Sequence, residues 1–271
     1  MMANFFENAP DSRSIRGDGA AFFLRSVEKN AAPGTGKTLM FGRYYEKRSA
    51  QQATLFDSAR KEYVRRDGIT EFILERCRAS YDPRVTKEDI FYYVYGLLHS
   101  PDYQTCFAAD LKKMLPRLLL EKPADFWTFS EAGRALAHLH LNYETQGPSP
   151  DVTVTGAEQG KFRVEKMRFP DKQDKTTIEY NPWITLSYIP LEAYDYVING
   201  RSAIEWIMER YQIKTDKASD ITNDPNDWAE EQGKPRYILD LLLSVISVTV
   251  KTVKIVKGLP GLEVATENAR C

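Results

Sequence analysis

The stretch Thr86-Lys87-Glu88-Asp89-Ile90-Phe91-Tyr92-Tyr93-Val94-Tyr95-Gly96-Leu97-Leu98-His99-Ser100-Pro101-Asp102-Tyr103 decides how the chain folds, because it holds two helix starts and one sharp corner. Thr86 and Asp89 stand three apart, the spacing at which a hydroxyl caps the third amide of a helix and the carboxylate returns to the cap's own N–H. Ile90, Phe91, Val94, Tyr95, Leu97 and Leu98 then supply a broad apolar face at helical spacing. Ser100 before Pro101 is an N-cap with proline at the first helical position, where a missing N–H costs nothing. Tyr103, Phe107, Leu111, Met114 and Leu115 continue that second helix as far as Pro116. The aromatic run from Phe91 to Tyr95 reads as core packing before it reads as a base-stacking surface.

Toward the N-terminus, Ile69, Phe72, Ile73 and Arg76 predict a short amphipathic helix from about Asp67 to Ser80, broken by Asp82-Pro83. Residues 1–66 sustain no period, since Gly17, Gly19, Gly34, Gly36 and Gly42 interrupt short apolar pieces, and are expected to be irregular. Toward the C-terminus, a fourth helix is expected from about Ser130, with Leu136, Leu139 and His140 near its end. Gly147-Pro148-Ser149-Pro150 then marks an internal boundary. Beyond it the period becomes two: Phe162, Val164, Met167 and Phe169 alternate with charged residues as in a half-exposed strand, and Thr176–Tyr180 and Trp183–Leu186 read as further strands. Helices are expected at Leu191–Ile198 and Ser202–Tyr211, the latter with the capping-box pair Ser202 and Glu205. A long polar loop spans Lys214–Gly233, and a last helix Tyr237–Lys257, despite its β-branched Val245, Val248, Thr249 and Val250. The reading is α+β: a mostly helical scaffold with a small antiparallel sheet inserted after residue 150. Its domain plan is an irregular segment 1–66, a main domain 67–259 with lobes 67–147 and 151–259, and a tail 260–271.

At 271 residues and 42% hydrophobic content, the chain can bury its own core. Its 37 basic and 38 acidic residues nearly cancel, so only local clustering can point to a polyanionic partner. Cys77, Cys106 and Cys271 are odd in number and form no C-x-x-C pair, which suggests reduced thiols in a cytoplasmic protein and no metal site. No apolar run reaches the roughly eighteen residues that a membrane span requires.

The best candidate contact cluster is Lys161, Arg163, Lys166, Arg168, Lys172 and Lys175, on and beside the expected strands. Lysine and arginine neutralise phosphates, and arginine also bridges O6 and N7 of guanine. Glu158, Glu165, Asp171 and Asp174 dilute it, and a solvated strand face is the plainer reading. The loop residues Lys214, Thr215, Lys217, Asn223 and Asn226 offer phosphate and base-edge contacts, asparagine being suited to adenine. Against this stands a capped turn in which Asn223, Asp224 and Asn226 bond their own backbone. Ala31-Ala32-Pro33-Gly34-Thr35-Gly36-Lys37-Thr38 fits a phosphate loop, with Gly34 and Gly36 for close approach, Lys37 on phosphate and Thr38 on magnesium. A Gly-rich loop is the alternative, since Gly42 interrupts the helix such a site needs. His99 reads as a corner residue bonded to a helix end, and His138 and His140 face different sides of a helix. No complete catalytic constellation emerges.

The run Ile90 to Tyr103, followed by Phe107-Ala108-Ala109-Asp110-Leu111-Lys112-Lys113-Met114-Leu115-Pro116-Arg117, resembles the C-terminal specificity domain of Type ISP restriction-modification enzymes. The resemblance continues in Phe129 to Arg134, Leu139 to Glu144, Tyr194 to Gly200, Ala203 to Trp206, Lys214 to Lys217 and Asn223 to Trp228, covering about Asp67 to Leu259. It implies a target-recognition module for double-stranded DNA, serving methyltransferase and motor domains elsewhere in a parent polypeptide. The family's Asn-Pro-Pro-aromatic methyltransferase signature has no counterpart, since Asn181-Pro182-Trp183 lacks the second proline and reads as a turn before a strand. The chain therefore looks like a fragment or a truncated gene product. It is expected to hold no cofactor or metal itself, while the parent is implied to use ATP, magnesium and S-adenosylmethionine. Two rivals remain open: a nucleotide hydrolase built on Lys37 and Thr38, and a protein-docking remnant of the same system.

Overall fold

A computed structural model describes residues 69–108 and 123–262, together with the backbone of two strands, β1 (Arg43–Lys47) and β2 (Tyr63–Asp67). These two pair antiparallel, Arg43 opposite Asp67 and Lys47 opposite Tyr63, so part of the segment expected to be irregular is a ladder. The described residues form two compact units, one holding those up to Leu141 and from Gly258 onward, the other Asn142–Lys257. Mostly helical α+β architecture is what the sequence led us to expect.

In the first unit, α1 (Glu71–Ser80) starts at Thr70, whose hydroxyl accepts from Ile73 N. It buries Leu74 and Cys77 and leaves Phe72 67% exposed, so the buried stripe is not the one the spacing of Phe72 and Arg76 suggested. The capping box at Thr86 and Asp89 is formed in full and opens α2 (Lys87–Leu97). Ser100 caps α3 (Pro101–Cys106) at the expected corner. α4 (Pro123–Leu141) begins seven residues before Ser130, because Ser130 is not a cap: its hydroxyl donates to Asp89 O of α2 at 3.0 Å. α2 and α4 meet at glycines. A Cβ on Gly96 would lie 2.2 Å from Phe129 O, and one on Gly133 1.8 Å from Tyr92 O, so only hydrogen fits at either place. Arg134 bonds Asp89 and lies over the Tyr92 ring at 4.2 Å, closing the same crossing from the solvent side. Beneath it Tyr93, Phe126 and Phe129 pack ring on ring with Ile90, Val94, Leu97 and Tyr103.

The second unit is organised around α7 (Tyr237–Lys257), whose buried residues run almost unbroken from Ile238 to Thr249. A helix apolar on nearly all sides is packed on nearly all sides, which overrides its β-branched content. The sheet has the order β3 (Thr153–Thr155), β5 (Thr185–Ser187), β4 (Ile178–Glu179), all antiparallel, with Leu186 opposite both Val154 and Ile178. β6 (Val197–Ile198) and β7 (Arg201–Ser202) form a hairpin whose turn is Asn199-Gly200, at φ 51° and 80°. The helix expected at Leu191–Ile198 is thus one 3-10 turn, Leu191–Tyr194, followed by a strand. Ser202 forms its capping box with Glu205 and opens α5 (Ala203–Arg210). The long loop resolves into β8 (Lys214–Thr215), β9 (Thr222–Asn223) and α6 (Pro225–Glu231). Among the described residues no helix is long and apolar enough to cross a membrane.

Candidate nucleic-acid interface

Residues 161–168 form no ladder strand; the one bridge is a two-way backbone bond between Arg168 and Glu179 at 3.0 and 2.9 Å. The alternation read from the sequence has a different cause, since Val164 and Met167 are buried while Lys161, Arg163, Glu165, Lys166 and Arg168 face solvent. Side chains hold the segment extended. Asn181 Nδ2 donates to Lys161 O at 2.8 Å and to Arg163 O at 3.0 Å, and Tyr180 donates to Phe162 O at 2.8 Å. Asn226 exchanges two bonds with Val164, and Ile213 N donates to Glu165 O at 2.9 Å. That last bond sets Lys166 beside the root of the β8–β9 ribbon.

Every residue of the ribbon, from Lys214 to Asn223, is exposed. Its tip is shaped by Asp216, whose Oδ1 accepts from Ala218 N, Ser219 N and the Ser219 hydroxyl. These bonds, Ser219's amide first, hold the Asp216 carboxyl below its ordinary range. Thr215 and Thr222 bond across the strands at 2.9 Å. A two-stranded ribbon is narrow enough for the major groove of B-DNA, and Lys214, Thr215, Lys217 and Asn223 ride on this one. Lys214 stands 3.6 Å from Glu209 of α5, and Lys217 has no carboxylate partner among the described residues.

Most of the other candidate cations are already engaged. Arg163 meets Asp224 at 2.5 Å, Glu230 at 2.8 Å and Asp227 at 3.3 Å, and the Glu230 hydrogen bond leads the causes that raise its pKa further. Arg168 pairs with Glu179, and Lys175 with Glu205 at 2.8 Å. Burial works against the Glu205 carboxylate, but bonds from Lys175 and Ser202 outweigh it and leave its pKa lowered. Lys161 sits 4.5 Å over the ring of Trp183. Lys161, Lys166, Lys172 and Lys217 are the candidate cations with no carboxylate partner among the described residues, and of these Lys161 lies over the Trp183 ring.

A family model for the Type ISP C-terminal specificity domain matches residues 4–241. The chain belongs to this family. Among solved structures, the ATP-dependent Type ISP restriction-modification enzyme LlaBIII bound to DNA is 39% identical, with a TM-score of 0.68, covering 82% of this chain and 14% of that one. A nuclease-deletion mutant of the Type ISP enzyme LlaGI, in complex with a DNA substrate mimic, is 45% identical with a TM-score of 0.63, over 74% of this chain and 17% of that one. The DrdV–DNA complex, by cryo-electron microscopy, is 29% identical with a TM-score of 0.63, over 76% and 21%. This chain therefore spans about one seventh to one fifth of the length of the enzymes it matches. No curated protein matches it.

For this specificity domain, several sequence expectations need correction. Asn226 is no base reader, because it is 3% exposed and spends its amide on Val164 and Asp224. Arg163, Arg168 and Lys175 are committed to ion pairs, and their partners are not the acidic residues that dilute them in sequence but carboxylates that folding brings from β4, α5, and α6 with its cap Asp224. Cys77 is free and buried, which raises its pKa, and Cys271 lies outside the described residues. Gly34, Gly36, Lys37 and Thr38 of the phosphate-loop string lie outside the described residues. Among the described residues no group of acidic, histidine or cysteine side chains is placed to hold a metal.

Two exposed aromatics escaped the sequence reading. Trp183 follows a turn in which Asn181 Oδ1 accepts from Trp183 N and Ile184 N at 3.0 and 2.8 Å, the turn the sequence led us to expect. Its ring nevertheless remains 45% exposed. Tyr188 is 72% exposed. Alternation alone assigns neither, since each stands just outside β5, where period two no longer applies.

Proposed function

We propose that this chain is the sequence-specific double-stranded DNA recognition module of a restriction-modification enzyme, and that it carries out no catalysis alone. The observation that carries the reading is the 39% identity, over 82% of this chain, to part of an enzyme solved on DNA. The exposed ribbon, with Lys166 beside its root, is the surface best suited to the task. Lys166, Lys172, Lys214 and Lys217 neutralise phosphates, while Thr215 and Asn223 reach base edges. Arg163, Arg168, Lys175 and Asn226 hold the frame that presents them. The methyltransferase and motor domains of a longer cytoplasmic polypeptide are the partners, and ATP, magnesium and S-adenosylmethionine belong to those domains.

Selection of a random duplex library on the purified chain tests this directly. Enrichment of one defined sequence is expected, with affinity falling steeply as salt rises. Retention of no duplex, or of all sequences alike, refutes the reading.

A further inference from the structure

Tyr188 leaves β5 with φ of 60°, in the left-handed region. A bulky side chain is rarely held there, because its Cβ crowds the backbone. The other non-glycine residues with positive φ have local reasons: Asn199 precedes Gly200 in the β6–β7 turn, and Asp220 belongs to the ribbon tip. Asparagine and aspartate are at home in such turns, and tyrosine is not. The fold itself explains the backbone shape. Ser187 is held in register opposite Thr153, and Ile189, 1% exposed, donates its N–H to Thr176 O at 2.9 Å. It does not explain the ring, which has no hydrogen bond or ring contact among the described residues. Glycine or asparagine would make the same turn at lower cost.

The Ile189–Thr176 bond joins the residue after Tyr188 to the chain two residues beyond the exposed loop 171–174, which carries Lys172. We propose that Tyr188 is a DNA-contacting residue whose ring rests on a sugar or base edge while Lys172 neutralises a neighbouring phosphate. A phenol offers a flat apolar face and one hydroxyl, the combination that such an edge requires. This inference rests on the DNA-recognition reading above.

The test compares thermal unfolding and salt-dependent binding of an enriched duplex for the full chain and for Tyr188→Gly, Tyr188→Asn and Lys172→Ala. Relief of backbone strain in the glycine and asparagine variants raises Tm by about 2 °C. Both variants weaken duplex binding about tenfold, with the salt slope unchanged. Lys172→Ala lowers the slope by about one. A raised Tm with unchanged affinity overturns the proposal and leaves the ring, with the exposed Leu191 three residues on, to a protein neighbour. A lowered Tm in both variants also overturns it, by making Tyr188 a structural residue. If the wild type binds no duplex, both readings fall; if it binds and the Tyr188 variants bind equally well, only this one does.

Discussion

Asn226 and Val164, sixty-two residues apart in sequence, hold each other by two bonds: Val164 N donates to Asn226 Oδ1 at 2.9 Å, and Asn226 Nδ2 donates to Val164 O at 2.8 Å. The side-chain amide imitates a neighbouring strand and completes the backbone of a segment that has no ladder partner there. Asn226→Ala leaves both buried Val164 groups unsatisfied. A loss of about 2–4 kcal/mol is expected in denaturant titration, and Asn226→Asp should also destabilise, since it removes the amide donor. An unchanged midpoint for either variant would contradict the structural role.

Lysines without carboxylate partners and arginines with them should separate in a salt titration. Lys166→Ala and Lys217→Ala each lower the slope of log affinity against log salt by about one. Arg163→Ala leaves that slope near the wild-type value, because the guanidinium is already engaged by Asp224, Asp227 and Glu230. Equal effects from all three would show that ion pairing in the free chain does not govern contact.

The crossing of α2 and α4 depends on two hydrogens. Gly133→Ala drives a methyl into Tyr92 O, which is backbone and cannot swing away. Destabilisation on the order of 3 kcal/mol is expected, with a comparable loss for Gly96→Ala. Calorimetry reads this directly, and a tolerant Gly133→Ala variant would mean the helices cross elsewhere.

Acid stability should report a buried histidine pair. Burial pulls the His99 pKa down to about 4, against a bond to Tyr95 O, and pulls His140 down to about 3 with help from His99. Unfolded histidine titrates near 6.5, so on acidification the unfolded chain takes up protons before the folded one does. The pair's contribution is complete above about pH 6.5 and is lost as pH falls toward 4 and 3. His140→Gln retains a partner for the Tyr95 hydroxyl, which meets His140 Nδ1 at 2.7 Å, and removes one titrating group. It should therefore flatten the loss of Tm between pH 6.5 and 4, and a slope as steep as wild type would be the adverse result.

The helix starts were legible in the residues themselves, because a cap is a local contract. Thr86 with Asp89 and Ser202 with Glu205 satisfy each other within four residues, and Ser100 needs only Tyr103 N. The long apolar run of α7 was local in the same sense, whereas the Asn199-Gly200 turn went unread behind the helix expected at Leu191–Ile198. The sheet was harder to place. Phe162 to Phe169 alternates as a strand does, yet only Arg168 finds a ladder partner, since alternation records which side chains are buried and not what the backbone bonds to.

By itself, the order of residues determined the capped helix starts, the α+β character and, through unusual runs such as Tyr95 to Tyr103, the family. Only the tertiary structure decided which charges remain open. Arg163 is a cation in any reading of the sequence, but its counter-charges lie 61 to 67 residues away, and folding brings all three of them to it. Capping and periodicity act over one or two turns of chain, whereas pairing of charges is settled by proximity in space, which the chain acquires only when it folds.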